Sequence, residues 1–284
     1  MGKFSGYLIC TDLDGTLYRD DKTVSEENRR AIEYFKSEGG LFTFITGRLP
    51  CYSQTAYDAA KPNAPYGCMN GGGVWDGETG KYLFYTEMPD DICDLVEDMD
   101  KLFPNVGIQI YCPERVYFSK ENDLMPKFRH MTGLPKLNKP YREIDEPIVK
   151  VIFGTEDGEE MQEVIRALHE HPYREKITYI QSEPTLYEVL PKGVNKGLAF
   201  GKLIEILGID REKTIAIGDY DNDVGMLREA GLGIAVSNSS PAALAAADLV
   251  TVSNNEDALA KLIYDLEAGK IDPRGVREKS RKAR

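Results

Sequence analysis

The sequence predicts an α/β fold: a doubly wound parallel sheet of Rossmann-like type, with an α+β cap domain inserted into it. Three observations carry this. Over residues 1–80 short apolar runs alternate with stretches of helical period, the same alternation returns over residues 192–273, and residues 81–191 between them show hairpin-like spacing. Strands that alternate with helices build parallel sheets, because a parallel pair needs a crossover long enough to hold a helix.

In chain order, residues 7–11 read as a buried strand, and Ser25 can cap a helix that stops at Gly39 and Gly40. Residues 41–46 are the next strand, Pro50 opens a helix, and residues 66–69 make a third strand before Asn70-Gly71-Gly72-Gly73. In the inserted part, strands are expected at 81–85, 107–111 and 115–119, with a helix after Pro89 carrying Ile92, Leu95, Val96, Met99 and Leu102. A strand at 148–153 and a helix with Met161, Val164, Ile165 and Leu168 follow, then a strand pair at 177–180 and 186–190. The last part has a helix marked by Leu198, Leu203, Ile206 and Leu207, a strand at 214–217 and a helix at 223–230. A strand at 233–236, a helix started by Ser240-Pro241, a strand at 249–252 and a final helix capped by Asn255 complete it. The basic tail, residues 274–284, has no apolar period and reads as a solvated end.

Composition narrows the function classes. The chain has 284 residues, 42% hydrophobic and 29% charged, which is globular usage, and a net charge of −12, which repels polyphosphate backbones. Nucleic acid is therefore not expected as a partner. No apolar run approaches the ~20 residues that span a bilayer, and the N-terminus turns charged too early for a secretory signal, so a cytoplasmic location is expected, with no membrane partner. The 5 cysteines contain no Cys-x-x-Cys pair and the 3 histidines lie outside any motif, so a metal here should be held by oxygen.

The chemistry concentrates at strand ends. Asp12-Leu13-Asp14-Gly15-Thr16 follows the first strand, and Gly218-Asp219-Tyr220-Asp221-Asn222-Asp223 follows the strand at 214–217. Open parallel sheets place ligands at the C-terminal ends of their strands. If these two strands are neighbours, Asp12, Asp14 and Asp219 converge, and such a cluster calls for a cation or shifted pKa values. An all-oxygen site suits Mg²⁺, which leaves positions for water and a phosphate. Thr46-Gly47-Arg48 offers a hydroxyl and loop N–H groups, although a plain turn explains it as well, and Lys196 sits on a first helical turn, a poor place for a cation unless it is used.

Taken in order, these elements resemble the four signatures of the haloacid dehalogenase-like superfamily of phosphohydrolases: Asp12 to Thr16, Thr46, Lys196, and Gly218 to Asp223. Thr46-Gly47-Arg48, Asn70-Gly71-Gly72 and Asn222-Asp223-Val224-Gly225-Met226-Leu227 are similar to the Cof-type branch, whose mixed α/β cap is inserted where this chain has its middle segment. The resemblance implies that Asp12 is the nucleophile and that Asp14 protonates the leaving oxygen and then activates water. It implies Mg²⁺ held by Asp12, the Asp14 carbonyl and Asp219, with Asp223 supporting from behind. Leu13, Thr46, Gly47, Lys196 and Asn222 would grip the phosphoryl oxygens, and Arg48 is either a substrate contact or a structural ion pair. The substrate implied is a small phosphorylated metabolite, of the sugar-phosphate or cofactor-phosphate class, hydrolysed through an aspartyl phosphate. A phosphomutase and a non-catalytic phosphate-binding protein are the alternatives.

Overall fold

The fold is taken from a computed structural model that describes residues 2–273; the expected basic tail lies outside the described residues. Two compact units are present. The first, the core unit, takes the chain up to Gly47, then Gln54–Phe84, and then Asn195 onward, while Arg48–Ser53 and Tyr85–Val194 form the second.

In the core unit β1 (Leu8–Thr11) leads through a tight turn at Leu13–Leu17 to α1 (Glu26–Ser37), and β2 (Leu41–Phe44) follows. The Ser25 hydroxyl accepts from the Asn28 N–H at 3.0 Å, the expected N-cap, an interaction that typically contributes about 1 kcal/mol. After α2 (Gln54–Ala60) come β3 (Tyr66–Cys68), β4 (Gly73–Asp76) and β5 (Lys81–Tyr85). Here the sequence expectation fails in three ways. Pro50 opens only a short 3₁₀ turn, Pro50–Tyr52, and the helix starts at Gln54. β3 touches the parallel sheet through a single bridge, Ile45 to Gly67, and otherwise pairs antiparallel with β4, a strand hidden inside what reads as a glycine loop. β5, read with the middle segment, lies third in this small sheet, ordered β3-β4-β5.

The inserted unit comprises α3 (Ile92–Leu102), β6 (Gly107–Cys112), β7 (Arg115–Lys120), α4 (Leu124–Thr132), β8 (Lys150–Gly154), α5 (Gly158–Glu170), β9 (Ile177–Glu183) and β10 (Leu186–Pro191). Its strands form one antiparallel sheet in the order β7-β6-β8-β10-β9. Ile108, Ile110, Val151, Phe153, Tyr187 and Val189 alternate onto one face and pack with Leu95, Val96, Val164 and Leu168 of α3 and α5. The opposite face carries buried polar side chains, among them Lys150 and Glu188, paired at 3.0 Å. α4 went unforeseen because Pro126 hides it; within the first turn a missing N–H is tolerated.

The chain returns to the core unit with α6 (Lys196–Leu207), β11 (Thr214–Gly218), α7 (Val224–Glu229), β12 (Leu232–Ala235), α8 (Pro241–Ala246), β13 (Leu249–Val250) and α9 (Ala258–Glu267). The main sheet is parallel throughout, in the order β13-β12-β11-β1-β2. Leu8, Cys10 and Ala216 face α6 and α7, packing with Ala199, Phe200, Leu203, Met226 and Leu227. Ile9, Ile215 and Ile217 point to the other face and are also fully buried, so both faces are covered, as a doubly wound sheet requires. Each such side chain contributes roughly 1.5–3 kcal/mol on leaving water. The final helix is not capped by Asn255: Ser253 and Glu256 form a capping box on a preceding 3₁₀ turn, and Asn255 hydrogen-bonds Asp20 instead.

Candidate active site

β1 and β11 are hydrogen-bonded neighbours, with Thr11 opposite Ile217, and the Asp12 N–H donates to the Ile217 carbonyl at 2.9 Å. The loops that leave their C-terminal ends therefore start side by side. From β1 the chain goes to β2 on one side and comes back to β11 on the other, so Asp12 sits at a switch point of the sheet.

Oxygen atoms of Asp12, Asp219 and Asp223 lie within 4.8 Å of one another. Lys196 is buried among them and its Nζ donates at 2.5 Å both to Asp12 Oδ1 and to Asp223 Oδ1. Its place at the first position of α6 is made possible by Asn195, whose side chain accepts from the N–H groups of Gly197 and Leu198. Asp223 is fully engaged, because its Oδ2 also accepts from the N–H groups of Asp219 and Tyr220 at 2.9 and 3.0 Å. Asp219 Oδ1 accepts from Thr16 Oγ1 at 2.8 Å. Gly15 is required between them: it has φ +79°, and a Cβ there would stand 2.5 Å from Asp219 Oδ2.

Burial pushes the Asp12 carboxyl well above the usual carboxylate range, with Lys196 opposing and the Asp223 and Asp219 charges reinforcing. Burial likewise pushes Asp219 up to about 6, against the Thr16 hydrogen bond and with the Asp223 charge. Burial works to lower the Lys196 ammonium, but Asp12 and Asp223 together hold it above its ordinary value. Among the described residues one ammonium, that of Lys196, thus faces three carboxylates, and oxygens of Asp12 and Asp219 lie within 4.8 Å of each other. Two facing carboxylates need a shared proton or a cation. An oxygen-only donor set of three carboxylates against one ammonium leaves two negative charges uncompensated, which fits a hard divalent ion.

Of the other expected residues, Leu13 and Thr46 are buried at the ends of β1 and β2. Thr46 and Asn222 are joined through a residue whose role sequence reasoning missed, Asn70: its N–H donates to the Thr46 carbonyl at 3.0 Å, and its Oδ1 accepts from Asn222 Nδ2 at 3.2 Å. The Asn70 side chain also lies against Gly47. Asp14 is exposed, outside the carboxylate cluster, and accepts from Lys22 Nζ at 2.9 Å. Arg48 belongs to the other compact unit. Thr16 and Gly15 were visible only as part of a motif, and Lys22 had no signal.

Residues 9–263, most of the chain, match the haloacid dehalogenase-like hydrolase family. The chain belongs to that family. This haloacid dehalogenase-like hydrolase is 29% identical over 265 residues to the 5-amino-6-(5-phospho-D-ribitylamino)uracil phosphatase YitU of Bacillus subtilis, covering 91% of this chain and 97% of that one. A second phosphatase of that description from the same organism, YcsE, is 31% identical over 262 residues, with 90% and 94% covered. Among solved structures, a haloacid dehalogenase-like hydrolase from Bacteroides thetaiotaomicron matches with a TM-score of 0.80 at 26% identity, over 92% of this chain and 99% of that one. The haloacid dehalogenase-like hydrolase described here is thus a phosphoric monoester hydrolase of the Cof-type branch, a phosphatase of small phosphorylated metabolites with its site at Asp12. Among the described residues no helix is long and apolar enough to cross a membrane.

Proposed function

We propose that this phosphatase cleaves the phosphate ester of a primary alcohol on a polyol-bearing metabolite, through an aspartyl phosphate on Asp12 and with Mg²⁺. The observation that carries the reaction is Lys196, whose single ammonium bridges Asp12 and Asp223 at 2.5 Å while Asp219 closes the cluster. Lys196 favours the ionised Asp12 that a nucleophile needs. In the first step an Asp12 oxygen bonds to phosphorus as the ester P–O bond breaks, and the leaving alkoxide takes a proton from Asp14. In the second, Asp14 takes a proton from water as the water oxygen attacks the same phosphorus, which releases phosphate and returns Asp12. Mg²⁺ held by Asp12, the Asp14 carbonyl and Asp219 would neutralise charge on the transferring phosphoryl group.

Thr46, Lys196, Asn222 and the N–H groups of Leu13 and Gly47 are the donors to the phosphoryl oxygens in this reading; each such preorganised donor typically contributes about 2.7–4 kcal/mol. Asp223, committed to Lys196 and two N–H groups, supports the site rather than binding the ion. The substrate class rests on the two Bacillus subtilis relatives, whose names state a phosphoribitylamino pyrimidine as substrate. The test is phosphate release from an aryl phosphate, with and without Mg²⁺, by the wild type and by Asp12→Asn. Metal-dependent release that the variant lacks supports the reading, and equal release by both ends it. A panel that includes ribityl and sugar phosphates then decides the substrate class; turnover confined to phosphates without a polyol chain would overturn it.

A further inference from the structure

Between β3 and β4 three consecutive residues have left-handed backbones: Met69 at φ +55°, Asn70 at +53° and Gly71 at +102°. Gly tolerates this region and Asn visits it, but Met does so rarely. Strain of this kind persists only where the surroundings over-determine it, and it concentrates at functional sites. The turn is held tightly here. A Cβ on Gly71 would stand 1.9 Å from the Asn195 carbonyl oxygen and 2.8 Å from the Lys196 nitrogen, so the turn is pressed against the start of α6, which carries Lys196.

Asn70 is 1% exposed and makes contacts in two directions. Its backbone N–H donates to the Thr46 carbonyl at 3.0 Å, and its side-chain amide lies against Gly47, 3.0 Å from where a Cβ would be. Its Oδ1 accepts from Asn222 Nδ2 at 3.2 Å, across 152 residues of sequence. A primary amide carries two N–H groups on one side and an acceptor on the other. An acceptor fixed at Asn70 decides which way the Asn222 amide points, and it leaves the second N–H of Asn222 to be directed elsewhere.

We propose that Asn70 is a positioning residue for phosphoryl transfer: its carboxamide aligns the Asn222 amide and braces the Thr46–Gly47 loop, so that donors from two distant loops keep a fixed spacing around the phosphoryl group. The inference rests on the reading of Thr46, Gly47 and Asn222 as phosphoryl donors. It differs from a purely local role, in which an asparagine is present only because the turn needs a left-handed residue. Glycine separates the two, since it takes the same backbone conformation without a carboxamide.

The experiment measures kcat, KM and inhibition by inorganic phosphate and by vanadate for Asn70→Gly, Asn70→Asp, Asn222→Ala and Asn70→Gly/Asn222→Ala, with an aryl phosphate as substrate and thermal melting as the check on folding. Asn70→Gly is expected to lower kcat/KM by at least about 10-fold, mainly through kcat, and to weaken vanadate by a similar factor, with the Mg²⁺ activation constant unchanged. The double variant is expected to be no more than about 2-fold worse than Asn222→Ala, because residues that act through one another are not additive. Asn70→Asp keeps the acceptor and the tolerance for the turn, so it tests the placement even if the glycine variant does not fold; its added charge should weaken phosphate and vanadate by about 10-fold or more. Wild-type kinetics in a folded Asn70→Gly, wild-type phosphate and vanadate inhibition in Asn70→Asp, or losses that multiply in the double variant overturn the proposal. If Asn222→Ala is impaired while Asn70→Gly is not, only the positioning role falls. If Asn222→Ala itself is unimpaired, the donor assignment falls and takes this inference with it.

Discussion

Replacing Lys196 with methionine removes the cation that pairs with Asp12 and Asp223. Lys196 is 1% exposed as a residue, so the methionine stem keeps most of the packing while the charge is removed from between Asp12 and Asp223, which are 8% and 0% exposed. Two consequences follow from the same bonds. Removing one partner of a buried ion pair typically destabilises by about 3–5 kcal/mol, because the other charge is left unpaired. Losing a preorganised donor to the reacting group typically lowers kcat by about 10²–10³-fold. Lys196 is held above its ordinary value, so its contribution is complete below 10.5 and is lost only as pH rises through the folded value. Without it, Asp12 moves further up from an already raised position, and the stability loss shrinks as pH falls and a carboxylate protonates. Urea unfolding near pH 8 and near pH 5, together with the pH profile of aryl phosphate hydrolysis, reads both effects. The expected result is a larger stability loss at the higher pH and an acidic limb of kcat shifted upward. A variant with wild-type kcat, or with the same stability loss at both pH values, would contradict the placement of Lys196 as the counter-charge.

Other outcomes are expected from the same geometry. Asp219 is raised from 3.8 to about 6, so it favours the folded state below 3.8 and that contribution fades as pH rises through about 6; the metal-free protein should lose up to about 3 kcal/mol from this group across the window, while stabilisation by Mg²⁺ grows over the same range in thermal melts. Mg²⁺ stabilisation that is flat from about pH 4 to 7 would oppose this. Gly15→Ala places a Cβ 2.5 Å from Asp219 Oδ2 on a backbone at φ +79°, so the Mg²⁺ activation constant should rise by about 10-fold or more, and an unchanged constant would show that the loop gives way elsewhere. Asp14→Asn should slow alkyl phosphates by about 10²–10⁴-fold and aryl phosphates less, since an aryl oxide leaves without a proton; equal losses would count against the acid role.

Much of the site could be read from the order of residues, for a physical reason. An apolar run ending in Asp-x-Asp-Gly-Thr or Gly-Asp-x-x-Asn-Asp is a buried strand that delivers acids to its C-terminal end, and both β1 and β11 are of this kind. That the two strands are neighbours could only be posed as a condition; pairing across some 200 residues leaves no local trace, and the Thr11–Ile217 register supplies it. The antiparallel hairpin of β3 and β4 was missed because Asn70-Gly71-Gly72-Gly73 carries turn chemistry, and a strand that starts on glycine has no alternation to detect. The left-handed Met69 is similarly silent, because the residue type that marks such a backbone is absent. Asn70 stood in plain view as a motif residue, yet its partner Asn222 is defined only by folding.

Attack of the Asp12 carboxylate on phosphorus, with formation of an aspartyl phosphate, can be caught by acid-quenching the enzyme during turnover with Mg²⁺ and mapping the phosphorylated peptide by mass spectrometry. One phosphoryl group is expected on the peptide that contains Asp12, accumulating further in Asp14→Asn and absent from Asp12→Asn. Turnover without any such adduct in Asp14→Asn, or a phosphoryl group carried on a different residue, would contradict it.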